Sequence, residues 1–107
     1  APGSAAVPSA PPGEPPVVYD ARYRTQPTPP PYPSYARSLN ITGTVILRAL
    51  VGRDGNTREV KVWRSSGHPQ LDRAAYDAAL KWAFAPASVG GQPIDAWVEV
   101  PVHFRLN

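Results

Sequence analysis

Polar and apolar residues alternate along much of the second half of the chain, and the period of the alternation changes twice. From Thr44 to Val51 the residues Val45, Leu47, Ala49 and Val51 share one face, which predicts a strand with one buried side. Asp54-Gly55 is a hairpin turn signal. Val60 and Val62 continue the inward face on the return strand, with Glu59, Lys61 and Arg64 left in water. The period then changes to that of a helix: Pro69 suits a first turn, and Leu71, Ala74, Ala75, Ala78, Ala79 and Trp82 form one stripe. Asp77 and Lys81 are predicted to pair on the opposite face, and Pro86 ends the element. Gly90-Gly91-Gln92-Pro93 reads as a turn. Beyond it Val98, Val100, Val102, Phe104 and Leu106 alternate with Glu99, Pro101, His103 and Arg105 in a last strand.

Ahead of the hairpin, Ser34 to Leu39 predicts one or two helical turns, with Ser34 as N-cap and Asn40 and Gly43 closing them. The predicted fold class is α+β in the order β-β-α-β. Three antiparallel strands are covered on one face by the helix, and a short helical turn precedes the first strand.

The prolines divide the chain. Pro2, Pro8, Pro11, Pro12, Pro15, Pro16, Pro27, Pro29, Pro30, Pro31 and Pro33 precede Ser34, leaving only Pro69, Pro86, Pro93 and Pro101 of the 15 for the rest. The stretch from Ala1 to Pro16 is too poor in apolar residues to offset its ordering entropy and reads as disordered linker. Where prolines are dense it favours an extended spacer rising about 3.1 Å per residue. Val17 to Arg24 brings back β-branched and aromatic residues. It reads either as a short strand or clasp docked on the domain, or as linker with apolar side chains. The division expected is a linker over 1–31, with a short strand within 17–24, and a folded domain over 32–107.

Charge and composition narrow the function. The net charge is +3, and its cations are dispersed through strands, turn and helix, where nucleic-acid binding calls for a basic stripe. Cysteine is absent, which excludes disulfides and thiolate metal sites. No apolar run approaches the length of a membrane span, and no signal peptide is recognisable. Ser65, Ser66, His68, Asp72 and His103 supply hydrolase residue types. However, Ser65 to Pro69 is accounted for as strand exit and helix start, and no nucleophile elbow is present. His68, His103, Glu99 and Asp72 lack metal-ligand spacing. No enzyme activity and no cofactor are therefore expected. Trp63 and Trp97 read either as an exposed patch on the open sheet face or as packing against the Val17 to Arg24 segment.

Pro101 stands in mid-strand, where it cannot donate to a ladder. This confines the last strand to an edge with Pro101 turned outward, in phase with Trp97, Glu99, His103 and Arg105. Such an edge is a template for an incoming extended peptide, or it is one that proline and charge protect from pairing.

Several spaced elements together resemble the C-terminal domain of TonB-type energy transducers. They are Pro31-Tyr32-Pro33 with Ala36; then Gly43, Val45, Leu47, Val51, Asp54-Gly55, Val60 and Val62; then Ser65-Ser66-Gly67, Leu71-Asp72, Ala75, Trp82, Phe84, Pro86, Gly91, Pro93 and Phe104. Thr57 and Ala49 depart from the pattern, where the family carries apolar or larger residues. The resemblance implies a periplasmic domain whose inner-membrane anchor lies outside this sequence. The domain would grip the TonB box of an outer-membrane transporter and transmit energy from a proton-driven inner-membrane motor.

The same resemblance implies that the box adds a strand along Trp97, Val98, Glu99, Val100, Pro101, Val102, His103, Phe104 and Arg105. It further implicates Gln26 and Pro27, just ahead of the Tyr-Pro motif, in transporter contact. The alternative is a related periplasmic adaptor, in a Tol-type envelope system or attached to a sensor, that binds no TonB box. The open edge also admits a weak homodimer, or closure by the leader at Val17 to Arg24.

Overall fold

A computed structural model describes residues 15–106. The chain forms β1 (Val17–Val18), α1 (Ser34–Ser38), β2 (Gly43–Val51), β3 (Thr57–Arg64), α2 (Pro69–Ala79), β4 (Ala87–Val89), β5 (Gln92–Ile94) and β6 (Ala96–Phe104). Of the stretch expected to be disordered linker, residues 1–14 lie outside the described part.

The alternation in β2 and β6 does what the sequence predicts. Val45, Leu47, Ala49 and Val51 are buried on one face beside Val98, Val100, Val102 and Phe104. The two strands pair antiparallel from Gly43↔Phe104 to Val51↔Ala96. Leu71, Ala75 and Ala79 of α2 pack onto this face, their small side chains allowing close approach. β3 pairs with β2 across the Asp54-Gly55 turn.

Gly55 is required twice at that turn. Its φ is +88°, and an added Cβ would run into the Phe84 carbonyl oxygen. The same turn is stapled to the α2 exit by the Phe84 N–H donating to the Gly55 carbonyl at 2.8 Å.

The α+β class with a helix-covered sheet holds, but the sheet has four strands rather than three, in the order β1-β6-β2-β3. The added strand is β1, parallel to β6 with Val17↔Trp97 and Val18↔Val98. Two residues carry no periodic signal, so only their meeting with unpaired groups of β6 makes them a strand. A separate hairpin, β4-β5, takes in Gln92 and Pro93 and turns at Gly90-Gly91.

Other local expectations are corrected. Pro33 is the N-cap of α1 and Ser34 its first residue; Asn40, at φ +54°, closes the helix, and Gly43 already belongs to β2. The helix α2 ends at Ala79 rather than reaching Trp82. Its last turn tightens through Lys81 N–H to Ala78 and Trp82 N–H to Ala79, both at 3.1 Å, which swings the chain toward the Gly55 turn. Asp77 pairs backward with Arg73 at 3.1 Å instead of forward with Lys81. Val62 points to the helix side but lies beyond the helix's cover and is 40% exposed.

After β1 the leader crosses the domain through four ties. The Ala85 N–H donates to the Arg22 carbonyl at 2.8 Å. The Tyr23 ring stacks on Phe84 at 4.9 Å, and burial pushes its phenol pKa up. Arg24 donates to the Asp54 carbonyl and to Asn56 Oδ1. The Trp82 indole N–H donates to the Thr28 carbonyl at 2.9 Å. At the far end Tyr32 meets Phe104 edge-on and donates its hydroxyl to the Ile41 carbonyl.

Candidate functional site

The side of β6 that faces away from β2 is the place where the fold leaves a strand incompletely paired. Its phase follows from one bond: the Trp97 N–H donates outward to the Pro16 carbonyl at 2.8 Å. Residues two apart share a direction, so Glu99, Pro101 and His103 also turn their backbone groups outward. The Pro101 ring therefore sits where no donor to β2 is lost, as its position in the sequence requires.

The edge is not open along its whole length, however. β1 covers it at Trp97 and Val98, and past Val98 no described strand pairs with this side. The outward groups in that open part are the carbonyls of Glu99, Pro101 and His103 and the N–H of His103. Val98, Val100, Val102 and Phe104 point the other way, into the core, and hold the strand rigid from below. Arg105 follows the end of β6 and is exposed.

The sheet face opposite α2 carries the side chains of the outward-phased residues. Arg48 is central to it. Its guanidinium donates to Glu99 Oε1 from Nε and Nη2, both at 3.0 Å, with the side chains only 17% and 25% exposed. The same guanidinium lies 3.7 Å from the centre of the Trp63 ring and 5.9 Å from that of Tyr19. Lys61 covers Trp97 at 4.9 Å, and His103 Nδ1 lies 3.0 Å from the Thr44 hydroxyl. Both tryptophans thus stand on the open face beneath cations, and the Val17 to Arg24 segment reaches the same face, with Val17 in register with Trp97 and Tyr19 beside the Arg48 that covers Trp63, so elements of both readings are present. Glu99, singled out for a partner, already has one within the domain.

Gln26 and Pro27 are not drawn to this edge by any described contact. Their neighbours are tied to the Asp54-Gly55 turn, through Arg24, and to the α2 exit, through Thr28 and Trp82. Gln26 is exposed and Pro27 half-buried.

The polar cluster at Ser65, Ser66, His68 and Asp72 closes on itself. Asp72 accepts from the Ser65 hydroxyl, from the Ser66 N–H at 2.9 Å and from the Ser66 hydroxyl at 2.8 Å. Burial opposes ionisation of Asp72, but these donors outweigh it and hold the carboxyl below its usual pKa. The cluster fixes the start of α2, with His68 as the N-cap residue. Among the described residues no three His, Cys, Asp or Glu side chains gather to hold a metal ion. No described helix is long and apolar enough to cross a membrane.

β1 was the part of this region least visible in the sequence. Its one signal was the β-branched pair Val17-Val18 between proline tracts.

The model of the family described as Gram-negative bacterial TonB protein C-terminal matches residues 28–106. Protein tonB2 of Pseudomonas aeruginosa is 44% identical over 78 residues, which is 73% of this chain and 29% of that protein. Protein TonB of Xanthomonas campestris pv. campestris is 47% identical over 79 residues, 74% of this chain and 35% of that protein. The chain thus aligns with about a third of the length of these relatives. The solution NMR structure of Pseudomonas aeruginosa TonB CTD superposes with a TM-score of 0.67 at 25% identity, covering 85% of this chain and 93% of that one. With β2, β3, β6, the helix α2 and the Tyr32 to Leu106 motifs all falling inside the matched region, this chain belongs to the Gram-negative TonB C-terminal family.

Proposed function

We propose that this domain is the periplasmic gripping end of a TonB-type energy transducer. It takes the TonB box of an outer-membrane transporter as an added strand along β6 and passes on a pull generated by a proton-driven inner-membrane motor. The observation that carries this reading is the outer side of β6, a nine-residue strand anchored by its buried face, which past Val98 pairs with no strand among the described residues on that side. Family membership supports the transducing role.

The chemistry suits a mechanical task. A pull parallel to a strand pair loads several backbone hydrogen bonds together, whereas a single side-chain contact would be loaded alone. Each such bond contributes about 0.5–1.5 kcal/mol net, so a few of them give a grip that holds and still releases. Val98, Val100, Val102 and Phe104 transmit the load into the core, and Arg48 braces Glu99 from the open face.

The test is an amide-shift titration of the labelled chain with a synthetic TonB-box peptide and a scrambled control. Selective shifts along Trp97 to Arg105, with smaller ones at Gln26, are expected. No response to boxes from several transporters, in a folded sample, would replace this reading with that of an adaptor.

A further inference from the structure

We infer that Pro16 to Val18 is a built-in competitor for the partner's place on β6, a tethered flap that must leave before a partner strand can take the full edge. The inference rests on the strand-addition reading above. Its basis is the supply of donors. Of the residues of β6 that turn outward, Trp97, Glu99, Pro101 and His103, proline has no N–H, so the edge offers three donors.

β1 occupies two of them. The Trp97 N–H is bonded to the Pro16 carbonyl, and the parallel register Val18↔Val98 directs the Val18 carbonyl to the Glu99 N–H. With β1 in place an incoming strand would find one donor, at His103. With β1 displaced it finds all three.

The flap is built to let go. A strand of two residues is shorter than the roughly 3–10 usual in stable sheets. Val17 and Val18 are only half-buried, and Tyr19 is 67% exposed against the Arg48 guanidinium. Val18 borders an open depression on the surface together with Asp20, Arg22, Ala85, Pro86, Ala87 and Val98. From Arg22 onward the leader is held by its bond to Ala85, by the Tyr23 ring on Phe84 and by Arg24 at the Asp54-Gly55 turn. These ties keep the flap close to the edge after release. The same polypeptide continues into the proline-rich leader, so tension along the leader would draw Pro16 to Val18 off Trp97 and Glu99 and expose their donors.

The experiment compares the full chain with two full-length variants, Val18→Pro, which removes the N–H facing the Trp97 carbonyl, and V17G/V18G, which removes the β-branched side chains. Neither residue belongs to the buried core, so the core amide shifts should be unchanged. The readouts are the affinity for a synthetic TonB-box peptide and the Val17, Val18 and Trp97 amide signals during titration. A docked flap lowers the apparent affinity by the fraction of molecules in which the edge is free. Loss of one net hydrogen bond in Val18→Pro, and in V17G/V18G the entropic cost of ordering two glycines in a strand, therefore predict about three- to tenfold tighter binding by both variants. In the wild type, the Val18 amide should move to an unpaired value as the peptide saturates and its bond to the Trp97 carbonyl is lost.

Equal or weaker binding by the variants, alongside clear binding by the wild type, would overturn the inference and leave strand addition standing. So would a saturated complex in which Val17 and Val18 keep their pairing and only Glu99 to Phe104 respond. No binding by any of the three proteins would sink strand addition, and the flap's role with it.

Discussion

Replacing Trp82 by alanine tests the packing that joins the leader to the domain. Trp82 lies just past α2, is 7% exposed, meets Tyr23 and Phe84 edge-on at 6.1 and 6.4 Å, and donates its indole N–H to the Thr28 carbonyl at 2.9 Å. An aromatic of this kind buries about 150–250 Å². At about 25 cal/mol per Å² that corresponds to about 4–6 kcal/mol, part of which the alanine methyl retains. Loss of the hydrogen bond and incomplete collapse of the cavity bring the expected cost to about 3–5 kcal/mol.

For a domain of this size each kcal/mol moves the midpoint by about 4–8 °C, so Trp82→Ala should lower Tm by at least about 12 °C. Urea unfolding followed by circular dichroism should show the same loss with an unchanged slope. Trp82→Phe separates the two contributions. It keeps most of the apolar contact but orphans the Thr28 carbonyl, and should cost only about 1–2 kcal/mol. Its signature should be faster amide exchange across Tyr23 to Thr28, with exchange in β2 and β6 little changed relative to global stability. If Trp82→Ala costs less than about 1 kcal/mol, the leader and the α2 exit do not share one core and the account of these ties is wrong.

Three further outcomes are expected. Pro101→Val should leave the fold intact and add a fourth donor to the outer edge of β6, increasing self-association; sedimentation velocity unchanged over a broad concentration range would count against the assigned phase. Gly55→Ala should cost clearly more than Gly67→Ala in chemical unfolding. The two glycines share φ near +88°, but an added Cβ meets Phe84 and Arg24 at Gly55 and nothing within 4 Å at Gly67; similar losses would show that backbone conformation alone matters there. The depressed pKa of Asp72 means that its ionised form is favoured by folding, so its contribution is present above the usual carboxylate pKa of about 3.9 and is lost as pH falls through the lower folded value. Asp72→Asn should therefore flatten the loss of stability on acidification below about pH 4, and an unchanged acid limb in a pH series of urea melts would remove Asp72 from that role.

What the sequence determined by itself was whatever a local period can encode. The alternation of Val45, Leu47, Ala49 and Val51 with their neighbours fixes which face of β2 is buried. The Leu71, Ala75, Ala79 spacing fixes the face of α2, and the even-numbered residues from Val98 to Phe104 fix that of β6. Pro101 added a long-range fact to this, because a residue without an N–H can occupy only one side of a strand's ladder. The outward phase of Trp97, Glu99 and His103 follows from it, and with it most of the candidate edge was legible before any coordinate.

The tertiary structure decided what depends on groups far apart in the chain. Val17 and Val18 are too few to show a period and become a strand only because Trp97 presents an unpaired N–H. Trp82 is in phase with the helix stripe, yet its place is set by the Tyr23 and Phe84 rings and the Thr28 carbonyl, which draw the chain out of the helix after Ala79. Arg48 and Glu99 look like two solvent-facing charges until the β2-β6 register brings them opposite each other. The extent of the free edge was likewise beyond the sequence, since hydrogen bonds between distant segments leave no local pattern and only the folded chain shows which donors are already taken.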